Sequence, residues 1–159
     1  LFCLAPMPMP TASTDRVDVY PYRLVEGIPQ FLLLHRASDV TYAGQWRMVG
    51  GAIESGESAW EAGLRETEEE TGHSPVHFWT LPSLNRFYEW ETDRVHLIPA
   101  FAAEVPGAPT LNHEHDGFDW FAPNAAAEHL LWPEQQRLLH LTATCLRRGI
   151  PPSCVIRDA

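Results

Sequence analysis

The chain has 159 residues, a formal net charge of -10 and 45% hydrophobic residues, which suits one domain with a substantial core. The negative charge argues against a nucleic-acid polymer as the main partner, and no apolar run is long enough to span a bilayer. All 11 basic residues are arginine, which excludes a lysine Schiff base or a P-loop lysine. Cys3, Cys145 and Cys154 lack C-x-x-C spacing, so we expect a reduced, cytoplasmic protein.

The first part of the chain predicts a tail and two strands. Residues 1–14 are rich in proline and lack the basic start of a signal peptide, so we predict a disordered tail. The alternating stretch RVDVYPYRLV (residues 16–25) predicts a strand, and Pro21 within it indicates an edge position or a bulge. Residues 26–27 predict a turn, and the apolar run at residues 30–35 predicts a buried strand.

The second part predicts a central helix, further strands and two late helices. Ser58 and Glu61 have the spacing of a capping box, and Gly72 stands where a left-handed helix cap is expected. Residues 76–81, 86–90, 95–105 and 118–121 predict strands, and helices are predicted at residues 123–131 and 133–148, each beginning with proline. The pattern indicates an α/β fold with a mixed sheet.

Three carboxylates share one face of the central helix. Glu66, Glu69 and Glu70 fall within about 100° on a helical wheel, whereas Glu68 points the opposite way. They would repel one another at neutral pH unless a divalent cation lies among them. From this spacing alone, a solvated helix face and a metal site are both open interpretations.

Small residues on the same helix are a second indication that the carboxylate face has a function. Ala59, Ala62 and Gly63 lie along the same stripe as the carboxylates, which suggests that a loop or a substrate approaches this face closely. Trp60 and Leu64 are predicted to lie on the core face.

The flanking residues complete one spaced pattern, G-x5-E-x7-R-E-x2-E-E-x-G, over residues 51–72. This pattern resembles the Nudix box, the signature of the Nudix hydrolases. Thr67 and His73 depart from it, because the family usually has aliphatic residues there. The resemblance implies a Nudix-type α/β/α sandwich with a mixed β-sheet over residues 15–149, followed by a C-terminal tail at residues 150–159 that we expect to lie on the surface.

The resemblance also implies a metal site. Carboxylate and carbonyl oxygens suit Mg²⁺ or Mn²⁺, and the implied ligands are Glu66, Glu69, Glu70 and the backbone carbonyl of Gly50. Arg65 would pair with Glu57 and hold the acidic helix against the preceding loop.

In this family, metal-activated water cleaves a nucleoside diphosphate linked to another group. Glu66, Glu69 and, in the segment NHEHDGFDW, Glu114 are the candidates for accepting the proton of that water. His113 and His115 allow a zinc interpretation, but a solvated loop is the usual setting for such histidines.

Longer segments resemble members of the family described as dATP pyrophosphohydrolase-like or nucleoside triphosphate pyrophosphatases. These segments are RVDVYPYR, QWRMVGGAIESGE, DRVHLIPAFAAEV, EHDGFDWF and LLWPEQQRLL. We therefore expect a nucleoside triphosphate, or a related pterin triphosphate, to be cleaved to a monophosphate and pyrophosphate. A dinucleoside polyphosphate, ADP-ribose or a nucleotide sugar is the alternative substrate, and a non-catalytic nucleotide sensor is a further alternative. Candidate substrate contacts are Trp46, Arg47, Arg86 and Tyr88. Members of the family are often homodimers.

Overall fold

The computed structural model describes residues 8–158, which form one mixed sheet and three α-helices. The strands are β1 (Thr11–Ser13), β2 (Arg16–Val25), β3 (Ile28–Arg36), β4 (Trp46–Arg47), β5 (Val49–Ala52), β6 (His77–Glu89), β7 (Arg94–Glu104), β8 (His115–Phe121) and β9 (Val155–Arg157). The helices are α1 (Ala59–Thr71), α2 (Pro123–His129) and α3 (Pro133–Arg148). A 3₁₀ turn at Pro152–Cys154 precedes β9.

The sheet is mixed because β2 has neighbours of both orientations. The main strand order is β4-β3-β2-β7-β6-β9, with β1 paired to β7, β5 to β2 and β8 to β3. β2 runs parallel to β7 and antiparallel to β3 and β5. One hydrophobic cluster joins the sheet to α1 and another joins it to α2 and α3. This α/β/α sandwich confirms the predicted fold class.

β2 lies inside the sheet, so the edge position predicted from Pro21 is wrong. Residues 16–19 pair with β5 and residues 22–25 pair with β3, on the side of β2 opposite β7. Pro21 falls between these two pairings, a break in the ladder that accommodates a residue without an N–H group. The strand is buried on both faces because helices cover both sides of the sheet.

The ends of α1 are as predicted, but its core face is different. The hydroxyl of Ser58 accepts from the Glu61 N–H at 3.3 Å, and Gly72 ends the helix with φ 73°. Gly63 packs against the sheet, where a Cβ atom would lie 2.9 Å from Phe78 and 3.2 Å from Phe101. Small size at this position therefore serves core packing rather than substrate approach. Trp60 is exposed, so its predicted core position is wrong.

Three further predictions need correction. The strands predicted at residues 76–81 and 86–90 are one strand, β6, with an irregularity between Thr80 and Leu84. Disorder is wrong for Thr11–Ser13, which pair with β7; residues 1–7 lie outside the described part of the chain. The C-terminal segment lies at the surface, with all three β9 residues exposed, but β9 is a strand that extends the sheet beside β6 rather than a tail without structure. Within residues 8–158, no helix is long and apolar enough to cross a membrane.

Candidate active site

A cavity of about 910 Å³ lies between the sheet, α1, the start of α3 and the loop before β8. Its floor comes from four adjacent strands, because Gly50 of β5, Asp18 of β2, Ile98 of β7 and Asn85 of β6 all line it. Five sequence-predicted site residues also line this cavity: Arg47, Gly50, Glu66, Glu70 and Glu114.

Glu70 is a buried carboxylate at the inner side of α1. The backbone N–H of Gly50 donates to its Oε2 at 3.0 Å. Burial raises the pKa of Glu70 to about 8, and the nearby carboxylates of Glu66 and Glu114 add to the rise. Without a cation this carboxyl group is therefore mostly protonated at neutral pH, and a bound cation would favour its ionised form.

Glu66 lies against a glycine whose size is required. A Cβ atom on Gly51 would come within 2.1 Å of Glu66 Oε1, so glycine is needed for the carboxylate to occupy its present position. Burial raises the pKa of Glu66, while the hydrogen bond from Arg65 opposes that rise. Glu66 and Glu70 are four residues apart and reach the cavity together.

Arg65 ties the acidic helix to the preceding loop, as the sequence predicted. Its guanidinium donates two hydrogen bonds to Glu57, at 2.6 and 3.1 Å, and one to the carbonyl of Ala52 at 2.9 Å. It also donates to Glu66 at 2.9 Å and to Glu69 at 3.3 Å. This planar donor set fixes the position of α1 and offsets part of the charge at the site.

Glu69 is placed differently from its two neighbours in the box. Its side chain is 53% exposed and is absent from the cavity lining. The wheel angle that grouped it with Glu66 and Glu70 is thus too coarse to separate the cavity side of the helix from its solvent side. Glu69 stays a predicted ligand at the margin of the site.

Glu114 enters the cavity from the loop before β8. The Nη1 atom of Arg36 donates to its Oε2 at 2.8 Å. His115, the next residue, is buried, and its Nε2 lies 3.6 Å from Glu70 Oε1. Burial, with a contribution from Arg36, lowers the pKa of His115 to about 4, so this ring is neutral.

The two histidines that allowed a zinc interpretation do not converge. His113 is exposed, while His115 is buried beside Glu70. Within residues 8–158, no group of three or more His, Cys, Asp or Glu side chains is already arranged to hold a metal ion. The structure thus gives the zinc interpretation no support.

The donor set nevertheless fits a hard divalent cation. Carboxylates of Glu66, Glu70 and Glu114 line one cavity, and Gly50, whose carbonyl is a predicted ligand, lines the same cavity. Glu66 is bonded to Arg65 and Glu114 to Arg36. These carboxylates would have to rotate away from their arginine partners to meet at one ion.

Three predicted substrate contacts lie elsewhere. Trp46 packs edge-on against Phe121 and His129, at ring distances of 5.5 and 6.0 Å, beside a separate shallow pocket. Arg86 and Tyr88 are exposed and absent from the cavity lining. Phe87, between them, does line the cavity, because alternate residues of a strand face opposite sides.

Sequence reasoning missed Asp18 and Asn85 on the cavity floor. Asn85 Nδ2 donates to Asp18 Oδ2 at 2.8 Å, and both residues are buried. The available signal was a carboxylate on the same strand face as Tyr20 and Tyr22, where a plain core position would be apolar.

The chain resembles known proteins along most of its length. The NUDIX domain model matches residues 15–142. CTP pyrophosphohydrolase of Escherichia coli (strain K12) is 28% identical over 118 residues, 73% of this chain and 84% of that protein. A Myxococcus xanthus protein named octanoyltransferase is 35% identical over 130 residues, 79% of this chain, and the chain spans 34% of that protein. In fold, it resembles a C. elegans Ap4A hydrolase binary complex with TM-score 0.70 and 22% identity, covering 85% of this chain and 98% of that one.

Proposed function

Because the chain belongs to the Nudix hydrolase family, we propose that its substrate is a nucleoside triphosphate, which it hydrolyses to a nucleoside monophosphate and pyrophosphate. The observation that carries this proposal is the convergence of Glu66, Glu70 and Glu114 on one cavity. The similarity to a CTP pyrophosphohydrolase supports the triphosphate as the substrate class.

Mg²⁺ or Mn²⁺ bound at this wall would neutralise phosphate charge and make a coordinated water more acidic. Glu66 and Glu70 would hold the cation, helped by the Gly50 carbonyl. The Gly50 N–H fixes the Glu70 carboxylate, and Arg65 holds α1 against the preceding loop. Arg47 lines the same cavity and would contact the phosphate chain.

Glu114 is the residue we favour as acceptor of the water proton. It lines the cavity and belongs to a different element from the helix carboxylates, so it can approach the phosphate from another side. The exposure of Glu69 argues for a lesser role at this step. Glu66 would then be a ligand rather than the base.

Product analysis tests the proposal. The protein is incubated with Mg²⁺ and, separately, with each (d)NTP, diadenosine tetraphosphate, ADP-ribose and a nucleotide sugar, and the products are separated by chromatography. We expect pyrophosphate and a monophosphate from a triphosphate, and about 100-fold slower formation or less from the Glu70→Gln variant. Turnover confined to the dinucleotide or ADP-ribose would replace the substrate class and retain the site. Binding without turnover of any compound would favour the sensor alternative.

A further inference from the structure

The cavity has a second polar region, away from the carboxylates of α1. Asp18, Asn85 and Gln135 all line the cavity, yet they are 7%, 4% and 5% exposed. They come from β2, β6 and α3, so three separate elements bring polar groups to one place. Buried polar side chains at such a convergence require hydrogen-bond partners.

Asp18 has unused accepting capacity. The amide of Asn85 donates to Oδ2 at 2.8 Å, whereas an ionised carboxylate accepts about four hydrogen bonds. In the sheet, Asp18 is paired with Gly50 on one side and Ala100 on the other, and neither side chain carries a donor. Burial raises the pKa of Asp18, whereas hydrogen bonds from Asn85 and Gln135 and the charges of Arg47 and Arg16 oppose that rise. When ionised, the carboxylate still has acceptor capacity left toward the cavity.

The surroundings suit a flat, partly apolar group. Met48 and Ile98 line the cavity near this polar region, and Phe87 stacks on His96 with ring centres 4.6 Å apart. Trp132, at the start of α3, also lines the cavity and is half exposed. Aromatic and aliphatic surfaces beside a few fixed polar groups are typical of sites that bind planar heterocycles.

We propose that Asp18 is a specificity-determining residue that accepts a hydrogen bond from the exocyclic amino group of the substrate's nucleobase. This inference rests on the proposed nucleotide substrate. Asn85 holds the carboxylate in place. A base with a carbonyl oxygen in the same position would set two acceptors against each other, leaving the remaining acceptor of the buried carboxylate without a donor.

The test uses matched bases that differ in the amino group: CTP against UTP, ATP against ITP, and GTP against ITP. We expect the wild-type protein to prefer the amino-bearing member of at least one pair by about 100-fold in kcat/KM. Asp18→Asn presents an amide N–H in place of one acceptor, so that preference should fall at least tenfold. Asp119→Asn removes the same charge from an exposed site outside the cavity and should leave the ratio unchanged.

Binding separates this proposal from the proposed function. Calorimetry with the matching monophosphates (CMP, UMP, AMP, IMP and GMP) reports base selection without hydrolysis. If no triphosphate is cleaved but Asp18→Asn abolishes a monophosphate preference, the substrate class is wrong and the role of Asp18 stands. A wild-type protein that shows no preference in any pair overturns the role, even if Asp18→Asn fails to fold. An unchanged preference in a folded Asp18→Asn variant also overturns it.

Discussion

Glu70 illustrates how one side chain can serve the site at a cost to the fold. Its carboxylate is buried beside two others and is held by the Gly50 N–H. Ionising a carboxyl group here is unfavourable without a counter-ion, which is why its pKa rises and why the residue suits a site that binds a cation.

Replacing Glu70 by Gln should separate these two effects. The amide oxygen of Gln can still accept from the Gly50 N–H, but the amide cannot ionise to bind a cation. We expect kcat to fall by about 100-fold or more, since even indirect changes at metal sites cost 10–100-fold. The melting temperature of the metal-free protein should stay level or rise. Glu68→Gln on the exposed side of α1 is the control and should change neither quantity; equal activity of the two variants would contradict the metal role.

Gly51→Ala tests the position of Glu66 without changing its chemistry. The added methyl group would occupy the space of the Glu66 carboxylate, which lies at the end of a flexible side chain and can move aside. We expect activity to fall about tenfold or more, because a catalytic group is displaced, with little change in melting temperature. Gly117→Ala, where the nearest atom is 3.6 Å from the new carbon, should be neutral in both assays. Wild-type activity in Gly51→Ala would show that this position of Glu66 is not the active one.

Among the elements, α1 carries the acidic residues and must also pack closely on the sheet. Gly63 makes that packing possible because Phe78 and Phe101, stacked 5.2 Å apart, lie directly beneath it. Any larger residue would push the helix, and with it Glu66 and Glu70, away from β5.

Gly63→Val should therefore weaken the fold as well as the site. Overpacking of this kind costs about 1–3 kcal/mol, which corresponds to a fall of roughly 2–12 °C in melting temperature at this chain length. Gly107→Val provides the comparison, because its Cβ would meet His73 at an ordinary 3.8 Å. Thermal unfolding of both variants by circular dichroism is the measurement, and equal midpoints would contradict the close helix–sheet contact.

How far the sequence predicts the site depends on whether the relevant residues share one element. Glu66, Glu70 and Arg65 could be predicted because a single helix fixes their mutual spacing. Residue type alone does not separate Arg86 and Tyr88 from Phe87, because neighbouring residues of a strand lie on opposite faces of the sheet. Asp18 and Asn85 meet only through long-range strand pairing, which local patterns do not contain.

The whole molecule has a net charge of -10. The change in its melting temperature when cations are added tests the proposed metal site. Mg²⁺ that binds the folded protein at 100 times its dissociation constant would stabilise it by about 2.7 kcal/mol. We expect a matching rise in melting temperature for the wild-type protein. A Glu66→Gln, Glu70→Gln double variant should lose most of that rise, whereas NaCl at equal ionic strength should not produce it. The same rise in the double variant would place the ions elsewhere.

The parallel pairing of β2 with β7 also has a consequence for how the protein folds. The β2–β3 and β6–β7 hairpins join strands that are close together in the chain. The pairing of Asp18 with Ala100, in contrast, joins residues that are far apart in the sequence. Closing long loops is entropically unfavourable, and contacts distant in sequence slow folding. We therefore infer that the hairpins form early and that the floor bearing Asp18 and Asn85 is completed in a late step. A newly synthesised chain would therefore gain much of its secondary structure before the proposed nucleotide-binding floor is complete.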